Sequence, residues 1–219
     1  MGNNFSEKDY CSISFSAYHK TVIEANVTTF EGLDNYVKKT LATNNAKIAV
    51  GGYGERRMIY TNSEHFTDET NPRCIHLGID FWTQARTPIF APLAGKIHSF
   101  KYNNQVLDYG ATIITEHTAA KKTFWLLFGH LSLKSIENLK VGQKIKRGEK
   151  IAELGEPHEN GGWSPHLHLQ CITDLGNWWG DFPGVATVSE AEYYLKICPP
   201  VSFQPSAIRI QLSTNYFSS

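Results

Sequence analysis

Between Lys47 and about Gln170 the chain breaks into short apolar and β-branched runs separated by glycine and turn residues. The runs are Ile48–Val50, Ile79–Trp82, Ile89–Ala91, Lys96–Phe100, Ala111–Glu116, Thr123–Phe128, Lys150–Leu154 and His166–Ile172. Strands this short and this regularly spaced predict a mostly β fold, an antiparallel sandwich or barrel-like sheet. Two stretches follow the helical period instead. Thr28 and Glu31 have capping-box spacing, and Phe30, Leu33, Val37 and Leu41 then recur on one face. This predicts a helix over 28–43, packed across one end of the sheet and ended by Asn44-Asn45. A second helix is expected over Val188–Ile197, opened by Ser189 and stopped before Pro199-Pro200. Ile208–Leu212 reads as an edge strand, and 55–73 as a polar loop long enough to be functional. The expected organisation is an extension over 1–46 with one helix, packed on a domain over 47–219 that ends in a helix and tail.

Composition narrows the functions. Lys plus Arg (21) equals Asp plus Glu (21), so the basic excess of a nucleic-acid binder is absent. The run Phe124–Phe128 is far shorter than the roughly 20 apolar residues of a transmembrane helix, and no such helix is expected. The first residues lack the basic start and apolar run of a secretory signal. The expectation is either a cytoplasmic protein or an envelope or secreted one whose signal was removed. The four cysteines form no C-x-x-C pair, which argues against a thiol redox motif and a cysteine-rich zinc site.

Chemistry is concentrated in the nine histidines. In His166-Leu167-His168-Leu169 a strand's alternation puts both imidazoles on one face, about 6–7 Å apart, with the leucines turned to a core. His76 and Asp80 are an imidazole and a carboxylate four residues apart, a mixed set that suits Zn²⁺. Fully extended they would stand about 13 Å apart, so sharing an ion needs a bend, which Gly78 permits. His130 follows Gly129 just past the apolar run and can project from a sheet end. His19, His65, His98, His117 and His158 lack matching partners and read as structural or solvent-facing, His65 in the long loop being the one not dismissed.

Taken in order, His-x-x-x-Asp, Gly-His-Leu-Ser and His-x-His resemble the lysostaphin/LytM-type zinc metallopeptidases. Thr87–Ile97 is similar to that family's strand after its first motif, and Val141–Ala152 to its glycine-turn segment before the last. The resemblance spans roughly Ile48 to Ile172. It implies the duplicated hybrid motif fold, a twisted antiparallel β-sheet crossed by a groove, with a few peripheral helices. It also implies one Zn²⁺ per chain on His76, Asp80 and His168, with His130 and His166 as the catalytic pair, acting on peptide or peptidoglycan. The chain departs from the family in several places. The tyrosine often found before the first ligand has no clear counterpart, Thr70 and Tyr60 being the nearest. Trp163 stands where small polar residues are common, and an aromatic there could shape a groove or fill a core. Leu107–Gly110 and Gly161–His166 are closer to family domains fused between a kinase-like phosphotransferase and a class III aminotransferase. Two other readings use the same residues: a non-catalytic metal- or peptide-binding module on this fold, and a carrier or group-transfer domain.

Overall fold

A computed structural model describes residues 6–57, 59, 71–204 and 207–212, with the side chains from 202 onward left aside. The amino-terminal part holds strand β1 (Tyr10–Ser12), helices α1 (Lys20–Glu24) and α2 (Phe30–Thr43), and strand β2 (Ile48–Gly51). Then come β3 (Arg73–His76), β4 (Ile79–Trp82), β5 (Pro88–Phe90), β6 (Gly95–Asn103), β7 (Gly110–Ala119) and β8 (Lys122–Leu131). The remainder is β9 (Lys144–Ile145), β10 (Lys150–Glu153), β11 (His166–Ile172), β12 (Val185–Thr187), α3 (Ala191–Ile197), β13 (Val201–Gln204) and β14 (Ala207–Leu212).

Eight strands form the main sheet in the order β1-β2-β4-β11-β8-β7-β6-β9. Every pairing in it is antiparallel except β1 with β2. The mostly β, antiparallel expectation holds, with helices at the periphery. Strand β11 lies between β4 and β8, and its alternation decides what each face carries. Leu167, Leu169 and Cys171 join Phe124, Leu126 and Phe128 in one core, while His166 and His168 look to the other side. A second core of Leu77, Ile114, Leu127 and Ile172 is closed by Phe182 and the end of α3.

Several boundaries moved. The cap of α2 is Thr29, whose side chain accepts from Gly32 N; Thr28 instead donates to Asn26. Helix α1 has no legible period because it is five residues long. Helix α3 starts at Ala191, after Thr187 has taken the Glu190 N–H on its hydroxyl. His130 lies inside β8 rather than past its end. The segment before residue 47 supplies the edge strand β1, and its Phe15, Leu33 and Val37 share a core with Trp82 and Trp163. Among the described residues no helix is long and apolar enough to cross a membrane. The four cysteines are free thiols.

Candidate metal centre

The sheet register brings the chemistry together. His168 on β11 stands opposite Asp80 on β4 and opposite Gly129 on β8; His166 stands opposite Trp82. The chain bends at Leu77-Gly78 between β3 and β4, which turns His76 back toward Asp80. A Cβ on Gly78 would lie 2.6 Å from His168 Cε1 and Nε2, so only a glycine lets the bend pass beneath that ring. One ligand atom each from His76, Asp80 and His168 then falls within a 4.8 Å cluster, and all three residues are buried.

The protons on these rings are fixed by carbonyl oxygens. His76 Nδ1 donates to Gly52 O at 2.8 Å, so its Nε2 carries a lone pair. His168 Nε2 donates to Gln170 Oε1 at 2.9 Å. The Gln170 amide cannot flip away, because its Nε2 donates to Pro183 O and to the Cys198 thiol. His168 Nδ1 therefore also carries a lone pair. These two lone pairs face each other across 2.9 Å, and Asp80 Oδ1 stands 3.3 Å from one and 3.2 Å from the other. Three acceptors converge with no proton among them. That is the donor set a cation needs, and its outer groups are oriented as they are around bound metals.

Charge agrees. Burial, with the Arg57 cation beside it and only partly opposed by Asp80, lowers the His76 pKa from 6.5 to about 4. Burial raises Asp80, but His76 and Arg57 outweigh it and hold the carboxyl well below its ordinary value. At neutral pH His76 is thus a neutral imidazole and Asp80 a carboxylate, the protonation states that metal ligation requires of them.

His130 and His166 sit beside this cluster with ring centroids 4.1 Å apart. His130 is delivered by a bulge: between the Ala111–Leu131 and Ile113–Phe128 pairs, β7 has one residue and β8 has two. His130 takes φ +62, a left-handed conformation that costs a non-glycine residue about 1–3 kcal/mol. Its N–H donates to Tyr109 O, its carbonyl accepts from Gly155 N, and its Nδ1 donates to Asn160 O at 2.9 Å. His166 stacks on Trp82 at 3.8 Å and donates from Nδ1 to Ser164 O at 2.8 Å. Each ring is left with Nε2 as its free acceptor. Burial pushes both pKa values down, His166 to about 4 and His130 well below its ordinary value, with the neighbouring imidazoles adding to the shift.

All five expected residues therefore line one cavity of about 270 Å³. Trp163 also borders it: the side chain is 5% exposed and belongs to the core cluster that holds Trp82 and Phe15, and its ring lies 6.1 Å from His130 and 6.2 Å from His166. Tyr109, Trp178 and Phe182 add aromatic walls, Tyr109 lying 5.3 Å from the His168 ring and 5.6 Å from His130. His19 and His158 are exposed, His98 is half-buried, and His117 is tied to Thr115 and Ala94. His65, Thr70 and Tyr60 lie outside the described residues. Gln170 was legible, since it continues the alternation of His166 and His168. Gly52, Arg57, Asn160 and Ser164 carry no such signal.

The model of Peptidase family M23 matches residues 74–177, the stretch that contains all five residues. Over residues 74–177 the chain is similar to Peptidase family M23. A protein of Haemophilus influenzae described as an uncharacterized metalloprotease is 35% identical over 95 residues, 43% of this chain and 18% of that protein. The chain thus aligns with under a fifth of that relative's length. Among solved structures, the catalytic domain of lysostaphin from Staphylococcus simulans is 24% identical, covering 69% of this chain and 93% of that one, with a TM-score of 0.45. LytU is 26% identical over 57% of this chain and 75% of its own, with a TM-score of 0.38. Arg57 and the strands β1 and β2 lie outside the M23 match, as do Trp178 and helix α3.

The metal-free protein should be sensitive to acid. His76 and His166 titrate at 6.5 when unfolded and at about 4 when folded. The unfolded chain therefore binds protons that the folded one refuses. Stability is full above the unfolded value and is lost as pH falls toward the folded one. Urea midpoints of the metal-free protein should decline steadily from about pH 7 to about pH 4; a flat midpoint would contradict the burial of these rings as neutral groups.

Proposed function

We propose that this chain is a zinc metalloendopeptidase that hydrolyses peptide bonds, in peptidoglycan cross-links or a related small peptide. One Zn²⁺ per chain is held by His76, Asp80 and His168, and His130 with His166 handles protons. The observation that carries this reading is the pair of imidazole lone pairs facing each other across 2.9 Å beside a carboxylate oxygen. Two nitrogens and an oxygen suit Zn²⁺ and leave an open coordination position. Zinc, when bound, supplies an acidified water and polarises the scissile carbonyl. The family match and the name of the H. influenzae relative support a peptide as substrate.

The proton work belongs to the two remaining histidines. Both are neutral, so each can accept a proton on Nε2, and each has a carbonyl oxygen on Nδ1–H that steadies the imidazolium once formed. Whichever ring takes the water's proton on Nε2 would then give that same proton to the leaving amine, directly or by way of its neighbour. Their depressed pKa values make them weak bases but strong acids, so the proton taken up is readily passed on. The stack on Trp82 and the bulge at His130 hold the two rings side by side, with no rotation left to arrest during the reaction.

Purified full chain should carry about one zinc per molecule. It should generate new peptide termini from purified peptidoglycan, or from glycine-rich and D-alanine-containing peptides, as read by mass spectrometry. Cleavage should stop with a chelator and return with zinc. A protein that holds zinc stably yet cuts none of these would instead be a binding module.

A further inference from the structure

Asp80 differs from its two partners in having its outer atom held by a charge. Oδ1 faces the imidazole lone pairs, while Oδ2 accepts from Arg57 NH1 at 2.6 Å. The Arg57 side chain is only 1% exposed, and it is gripped in turn. Its Nε donates to Glu55 Oε2 at 2.9 Å, and its guanidinium carbon lies 5.2 Å from the centre of the Phe15 ring. Glu55 Oε1 accepts from Phe15 N at 3.0 Å and from the Ser14 hydroxyl. Gly52, at φ +101, lets the backbone pass where any Cβ would strike the guanidinium. The same Gly52 holds His76 by its carbonyl. A continuous set of contacts therefore runs from residues 14–15 to the carboxylate, through residues that lie before the M23 match.

We propose that Arg57 is a positioning residue for the metal centre: it occupies Oδ2 so that Asp80 offers the ion a single oxygen, and it ties that oxygen to the segment 14–57. The inference rests on His76, Asp80 and His168 being the ligand set. Two effects of the guanidinium oppose each other. Its charge repels a cation, but the two carboxylates of Glu55 and Asp80 together exceed that charge, whereas among the described residues no other group orients the carboxylate from outside. Orientation therefore dominates. A carboxylate with both oxygens free can turn or ligate through both, while a planar, permanently charged fork allows neither.

Cobalt(II) titrated into the metal-free full chain tests this, with affinity from chelator competition and geometry from the visible absorption. In Arg57→Met, affinity should fall about 10–100-fold, the usual cost of losing a group that orients a ligand. The visible bands should also weaken as Asp80 adds its second oxygen and raises the coordination number. Arg57→Lys, which returns one charged donor to Oδ2, should recover most of the affinity and the bands. Unchanged affinity and bands in folded Arg57→Met would overturn the proposal while leaving the ligand set intact. Wild-type protein that takes up no cobalt or zinc would overturn the ligand set itself, and the proposal with it. Should far-UV circular dichroism show Arg57→Met unfolded, Glu55→Gln decides. It alters the grip on Arg57 without touching Asp80, and should lower affinity roughly threefold or more with altered bands; wild-type behaviour there would overturn the proposal.

Discussion

His166→Ala should keep near-normal zinc and lose turnover by roughly 10²–10⁴-fold, the usual worth of a positioned acid–base group. His168→Ala should lose both. The two histidines share a strand face, and the register separates them: His168 opposes Asp80 and reaches His76, while His166 opposes Trp82 and reaches His130. His130→Ala should resemble His166→Ala. The double variant His130→Ala/His166→Ala should lose less than the product of the two, because groups that act as a unit are not additive. Zinc by mass spectrometry beside kcat decides the matter. If His166→Ala empties the site as His168→Ala does, the division of labour is wrong.

Gly78→Ala should be nearly as damaging without touching any donor. Its new Cβ would sit 2.6 Å from the His168 ring and 2.9 Å from Leu169 O. The backbone oxygen cannot give way, and the ring can retreat only by leaving Gln170 Oε1, which fixes its tautomer. Zinc affinity should drop about 10–100-fold, with activity falling in parallel at limiting metal. Gly142→Ala is the control. It lies at φ +80 with nothing within 4 Å, so it should cost about 1–2 kcal/mol of stability and no metal. Equal zinc affinity in the two variants would remove the steric argument.

What the sequence made visible follows from period and spacing. Strands β4 and β11 were bounded correctly, because alternation ends where turn residues begin. The need for a bend at Gly78 followed from the length of an extended chain alone. The bulge at His130 was invisible, since two residues opposite one leaves no trace in a single strand's pattern. Arg57 was hidden for a different reason. A charged residue in a polar stretch reads as solvated, and its burial depends on Glu55, Phe15 and Asp80 meeting in three dimensions. Trp163 was read as an aromatic of either groove or core, and it stands in both, sharing a core cluster with Trp82 and Phe15 while it borders the cavity.

The insertion of β11 between β4 and β8 also sets an order of assembly. Its two neighbours come earlier in the chain, so each exposes an open hydrogen-bonding edge until residues 166–172 arrive. Pairings this distant in sequence form late and slowly. The two bare edges are the kind of surface through which partly folded chains join one another. On the proposed ligand set, stable capture of the ion would wait for that same strand, since His168 rides on it. Refolding yield should therefore depend on protein concentration more than on metal, and zinc should lock a sheet already closed rather than nucleate one.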